Sequence, residues 1–139
     1  MIVLDTNVLS ELMKQNSEPR VLGSVAAQPA ASLFTSTITQ AEILYGLALL
    51  PEGRRKSQLE GAVAGIFEED FAGRVLPFDG AAAHAYAAVA AERRHAGQPI
   101  SQFDAQIAAI CRSRGAALAT RNVADFAGCG IEVVDPWGQ

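Results

Sequence analysis

The chain has little lysine, cysteine or aromatic side chain. Of its 11 basic residues only Lys14 and Lys56 are lysine. Its two cysteines, Cys111 and Cys129, are too few for a disulfide scaffold. No apolar run approaches the ~20 residues that span a bilayer, so no membrane partner is expected. The opening Met-Ile-Val-Leu-Asp has no basic stretch or cleavage site, so no signal peptide is expected. Unpatterned cysteines without an export signal predict a cytoplasmic location in a reducing compartment. There is neither a Gly-x-Gly-x-x-Gly turn nor a P-loop, which argues against a nucleotide-binding enzyme. Aspartyl-phosphate chemistry needs a late lysine to steady the phosphate. Both lysines are early, and position 7 is Asn rather than a second Asp.

What the chain does have is alanine, 26 of its 139 residues, and a hydrophobic fraction of 50%. That much apolar side chain excludes intrinsic disorder, and the length suits a single domain over 1–139. The net charge of −4 and pI near 5.1 argue mildly against a nucleic-acid coat, which has a basic footprint. They do not exclude nucleic-acid chemistry, because carboxylates awaiting divalent cations make an empty protein look more acidic than its working form.

Met1 to Leu4 is a short apolar run without polar alternation, as in a strand buried on both faces. The pattern then predicts helices over 8–14 and 20–27, separated by a turn-rich break at 15–19. A strand over 32–37 precedes a helix opening at Thr39, with Ile43, Leu44, Leu47 and Leu50 at helical spacing. Pro51-Glu52-Gly53 turns into a helix over 54–70. An extended piece at 75–78 leads to an alanine-rich helix over 81–96, ended by Gly97. Ser101 starts a helix with Ile107, Ala108 and Cys111 on its apolar face. A strand at 116–120, a helical turn at 123–126 and a strand at 131–134 complete the chain. Strands alternating with helices predict an α/β fold with a central, mostly parallel sheet flanked by helices.

In such sheets ligands bind outside the carboxyl ends of the strands. Asp5, Glu42, Asp104 and Asp125 all fall near such ends. Singly, each has a structural explanation. Thr39-Gln-Ala-Glu42 and Ser101-Gln-Phe-Asp104 have the form of capping boxes, and Asp5 can cap the helix after the first strand. Jointly, carboxylates that converge without a Lys or Arg partner repel one another. None of the four has a basic neighbour in sequence. A divalent cation relieves that repulsion, and an all-oxygen set favours Mg²⁺ or Mn²⁺ over Zn²⁺. The chemistry implied is metal-assisted phosphodiester hydrolysis.

Four stretches carry a resemblance: Ile-Val-Leu-Asp-Thr-Asn-Val-Leu-Ser at 2–10, Thr-Ile-Thr-Gln-Ala-Glu-Ile at 37–43, Ile-Ser-Gln-Phe-Asp-Ala-Gln-Ile-Ala-Ala at 100–109, and Ala-Thr-Arg-Asn-Val-Ala-Asp-Phe at 119–126. In this order and spacing they resemble the PIN-domain family, and within it the VapC and FitB type of toxin ribonuclease. The resemblance implies a three-layer fold and a Mg²⁺-dependent endoribonuclease, with Mn²⁺ as a substitute. It implies Asp5 and Asp104 as the most direct metal ligands, with Glu42 binding a metal or orienting its water. Asn122 or Asp125 fills the fourth position, which leaves one metal or two open. Thr6, Asn7 and Ser101 become polar supports of the carboxylates, as does Asn122 if Asp125 is the fourth acid. The partners implied are RNA such as tRNA, a second copy of the chain, and a small DNA-binding antitoxin through which alone operator DNA is reached. The competing expectation is a non-catalytic binding module, active only in autorepression with the antitoxin, whose acids are helix caps.

Other residues carry weaker expectations. His84 and His95, eleven apart on one helix side, suit surface or packing roles rather than a metal. Cys111 and Cys129 read as inert thiols. Arg54-Arg55-Lys56, Arg93-Arg94 and the pair Arg112 and Arg114 are divided between RNA phosphate contacts and solvated faces. Trp137 is expected to pack the C-terminus, and Gly46, mid-helix, to mark a close helix contact or a dimer seam.

Overall fold

The computed structural model describes residues 1–138. Its centre is a five-stranded sheet, every pairing parallel. The strands are β1 (Ile2–Leu4), β2 (Leu33–Ser36), β3 (Val75–Leu76), β4 (Ala117–Ala119) and β5 (Val133–Val134), in the spatial order β3-β2-β1-β4-β5. The helices are α1 (Thr6–Leu12), α2 (Pro19–Ala26), α3 (Thr37–Ala48), α4 (Arg54–Gly65), α5 (Gly80–His95) and α6 (Gln102–Arg114).

Two apolar clusters sandwich the sheet, giving three layers. Val3 and Leu118 join α5, α6 and Phe126 on one face. Leu4 and Ala119 join α1 to α4 on the other. Successive strand side chains point to opposite faces, so a strand covered on both must be apolar throughout. That is why the first strand shows no alternation. Each fully buried Val or Leu contributes about 1.5–3 kcal/mol by leaving water.

Several boundaries differ from expectation. α1 begins at Thr6 because Asp5 is its cap, accepting a hydrogen bond from the Thr6 N–H. α3 begins at Thr37, with the Ser36 hydroxyl capping it through the Thr39 N–H. Thr39 is therefore not the cap, and Glu42 lies in the helix's second turn, outside a capping box. The helix expected over 54–70 ends as an α-helix at Gly65 and widens to a π-turn, Ile66–Asp70. α5 ends at His95, one residue ahead of the expected stop, with Gly97 just beyond at φ 74°.

The order of strands reverses at β1, which pairs with β2 on one side and β4 on the other. In open parallel sheets ligands bind at such a switch point, at the carboxyl edge, and Asp5 directly follows β1 there.

Candidate metal centre

Asp5 leaves β1 with its backbone still in the ladder, its N–H donating to the Ala119 carbonyl at 2.9 Å. Its side chain is only 5% exposed. Oδ1 accepts from the Thr6 N–H at 2.8 Å and Oδ2 from the Thr120 hydroxyl at 2.7 Å. Burial pushes the Asp5 carboxyl above its usual range. The two hydrogen bonds oppose that rise, and the charges of Asp104 and Glu42 add to it.

Thr6 ties the second acid to the first. Its hydroxyl donates to Glu42 Oε1 at 2.7 Å and lies 3.1 Å from the hydroxyl of the buried Thr39. Asp104 sits in the first turn of α6, where its N–H donates to the capping Ser101 hydroxyl at 3.2 Å. Burial raises the half-buried Asp104 carboxyl. Ser101 pulls it down, nearby Asp125 raises it, and Arg93 lowers it.

Asn122 and Asp125 lie on the exposed 3-10 turn after β4. The Asn122 N–H donates to Thr120 Oγ1 at 3.1 Å. Asn7 donates to the same oxygen at 3.3 Å and accepts from the Arg121 N–H at 3.2 Å. The expected site residues thus meet as a chain of neighbours. Asp5 feels the charges of Glu42 and Asp104, and Asp104 that of Asp125. Among the described residues no three Asp, Glu, His or Cys side chains close into a ready metal cage.

An all-oxygen donor set suits a hard cation better than a borderline one. Mg²⁺ keeps several of its waters and takes one or two carboxylates, whereas Zn²⁺ wants a closed N/S set. Burial is the main cause that raises both carboxyls, and the charge of a neighbouring acid adds to the rise in each. The donor set fits Mg²⁺ or Mn²⁺.

Sequence reasoning missed two residues here. Thr120 is fully buried and ties together Asp5, Asn7 and Asn122. It ends a strand at the carboxyl edge, and the rule that picked Asp5 also picks it. Arg93, only 8% exposed, donates to the backbone carbonyls of Asp125, Ala127 and Gln98. Its burial takes it off the solvated face, and its charge is felt by Asp104, one of the acids expected to converge without a Lys or Arg partner. Nothing in the sequence joins it to Asp125, 32 residues away.

Elsewhere, Arg112 pairs with Glu92 at 3.1 Å and Arg114 with Asp79 at 3.6 Å. Lys56 pairs with Glu52, while Arg54, Arg55 and Arg94 stay exposed. Both histidines are exposed. Both cysteines are free and buried, and burial pushes the Cys111 thiol up to about 12. Trp137 packs onto the α1–α4 side of the core, under the Arg121 guanidinium at 5.0 Å. A Cβ at Gly46 would meet nothing within 4 Å, so no helix contact among the described residues explains that glycine.

Comparison with known proteins gives concordant matches. The PIN domain family model matches residues 2–127. A VapC ribonuclease, Y4jK, of Sinorhizobium fredii is 40% identical, over 99% of this chain and 98% of its own. Toxin FitB of Neisseria gonorrhoeae is 34% identical, over 99% of each chain. A solved structure of FitAB bound to an IR36 DNA fragment aligns at a TM-score of 0.94 with 34% identity, covering 100% of this chain and 97% of that one.

Proposed function

Since the chain belongs to the PIN-domain family, we propose that it is a Mg²⁺-dependent endoribonuclease and the toxin of a toxin–antitoxin pair. The observation that carries this is a chain of acids from separate segments, in which Asp5 feels the charges of Glu42 and Asp104 and Asp104 feels that of Asp125, with Thr6 bonded to both Asp5 and Glu42. The relatives named VapC ribonuclease and toxin FitB support it.

Asp5 and Asp104 would hold the cation, with Asp125 flanking Asp104, and Glu42 would bind the metal or orient its water. A Mg²⁺ held there would supply Lewis-acid stabilisation of the attacked phosphate and an activated water, for a hydrolysis whose products are a 5′-phosphate and a 3′-hydroxyl. The chain's own contribution is rigidity. Thr6 and Thr120 fix Asp5, Thr6 also aims Glu42, and the Ser101 cap sets the start of α6 under Asp104.

The partners proposed are an RNA such as tRNA and a small DNA-binding antitoxin, through which operator DNA is reached. The similarity to FitAB, solved bound to a DNA fragment, supports the latter. A second copy of the chain is the third partner. Leu44 and Tyr45 on α3 and Leu49 at its C-cap are exposed around Gly46, an apolar stripe that suits a dimer seam.

The test is RNA cleavage with Mg²⁺ or Mn²⁺, with and without EDTA. Wild type should cleave, EDTA should abolish cleavage, and Asp5→Ala or Asp104→Ala should lower it at least ~100-fold. Equal cleavage by folded variants would refute the metal site. Absent cleavage and absent Mn²⁺ uptake by calorimetry would favour a binding module instead.

A further inference from the structure

Arg93 is a buried cation whose hydrogen bonds all go to neutral acceptors. It stands in the last turn of α5. Nε donates to the Gln98 carbonyl at 2.7 Å, and Nη1 to the carbonyls of Asp125 at 3.0 Å and of Ala127. Among the described residues no carboxylate oxygen lies within 4 Å of it. Burying a charge with no carboxylate in direct contact is costly, and the field of Asp104 and the C-terminal end of α5 offset only part of that. A buried residue here needs a further reason, and its contacts supply one. It joins the end of α5 to the turn Val123–Phe126 that carries Asp125. Gly128 lies against its side chain at φ 75°, where a Cβ would stand 4.0 Å from Arg93 Cδ.

We propose that Arg93 is a positioning residue for the metal centre. Its guanidinium clamps the Asp125 turn to α5 and so sets where the Asp125 carboxylate stands beside Asp104. This rests on the metal-site reading above and assigns the means by which the fourth acid is placed. The fork geometry matters. Guanidinium presents several donors in one rigid plane, so a single side chain can hold three carbonyls, which an ammonium does less well.

The sign of the charge separates positioning from electrostatics. A positive group behind the carboxylates repels an incoming cation. If Arg93 acted only through its charge, Arg93→Gln would bind Mn²⁺ more tightly and Arg93→Lys would match wild type. If it acts by positioning, both variants bind Mn²⁺ more weakly, by about 10-fold, in the range seen when supports of metal ligands are removed.

The experiment is Mn²⁺ calorimetry on wild type, Arg93→Lys, Arg93→Gln, Asp125→Ala and Arg93→Lys/Asp125→Ala, with amide hydrogen exchange across 122–127. The expected result is weaker Mn²⁺ binding and faster exchange in Arg93→Lys, and no further loss when the lysine is added to Asp125→Ala. Arg93→Lys with wild-type affinity and exchange overturns the proposal. So does an equal lysine effect in the Asp125→Ala background, or failure of both Arg93 variants to fold, which would make Arg93 a general folding residue. If wild type takes up no Mn²⁺, the metal reading fails, while the exchange measurement still tests the clamp.

Discussion

Thr120 shows how one hydroxyl can decide the state of a carboxylate. Its proton goes to Asp5 Oδ2, and its lone pairs take the Asn7 amide and the Asn122 N–H. Thr120→Val keeps the shape and deletes the hydroxyl. A buried carboxylate oxygen then loses its donor, and two N–H groups lose their acceptor. The expected cost is about 1–3 kcal/mol by denaturant unfolding. Cleavage should fall about 10–100-fold, because Asp5 is no longer held. Thr120→Ser, which restores the hydroxyl, should recover most of both. A Val variant with unchanged stability and activity would show that Asp5 is positioned by its Thr6 contact alone. Serine rescue separates the hydroxyl's role from that of the packed methyl.

The corner between α1 and α2 is built by an acid outside the proposed metal centre. Glu11 Oε2 accepts from the Glu18 N–H at 2.9 Å and Oε1 from Lys14 at 3.0 Å, while the Ser17 hydroxyl donates to the Glu11 carbonyl. The Glu18 N–H, then Lys14, hold the Glu11 carboxyl below its ordinary 4.5. A carboxyl lowered on folding contributes stability above its unfolded pKa, and that contribution is lost as pH falls through the folded value. Glu11→Gln should therefore be less stable than wild type at pH 7, with the gap shrinking below pH 4.5. Thermal melts across pH 3–7 check this, and a gap that stays constant would remove Glu11 from the acid limb. This corner was legible in the sequence only as a turn-rich break at 15–19. The strands and most helices were legible because apolar runs and alanine bias act locally. The cap of α3 was not, because Ser36 and Thr39 are both good capping residues and only the chain's path out of β2 selects between them. Asp5, Glu42 and Asp104 stood out because each follows a strand or opens a helix. Arg93 did not, because its meaning lies in a contact made only once α5 and the turn after β4 have folded together.

At the scale of the whole molecule, the topology concentrates charge that the sequence spreads out. The chain has 15 acids and 11 bases, and the fold brings Asp5 into the field of Glu42 and Asp104, and Asp104 into that of Asp125. The fold without a cation therefore carries a local repulsion that the unfolded chain does not. A cation that binds the folded state stabilises it by RT ln(1 + [L]/Kd), about 2.7 kcal/mol at a hundred-fold excess over Kd. For a domain of this size that is a rise in Tm of roughly 10 °C. Mg²⁺ or Mn²⁺ should produce it near neutral pH, and NaCl at equal ionic strength should not, because screening is not ligation. The rise should shrink as the solution is acidified, and should begin to shrink above the ordinary carboxylate value of 3.8, since Asp5 and Asp104 hold their protons to higher pH than free carboxyls do. Differential scanning fluorimetry on wild type and Asp5→Ala/Asp104→Ala decides the matter. If NaCl matches Mg²⁺, or the double variant shows the same rise, the acidic edge is a diffuse field rather than a binding site.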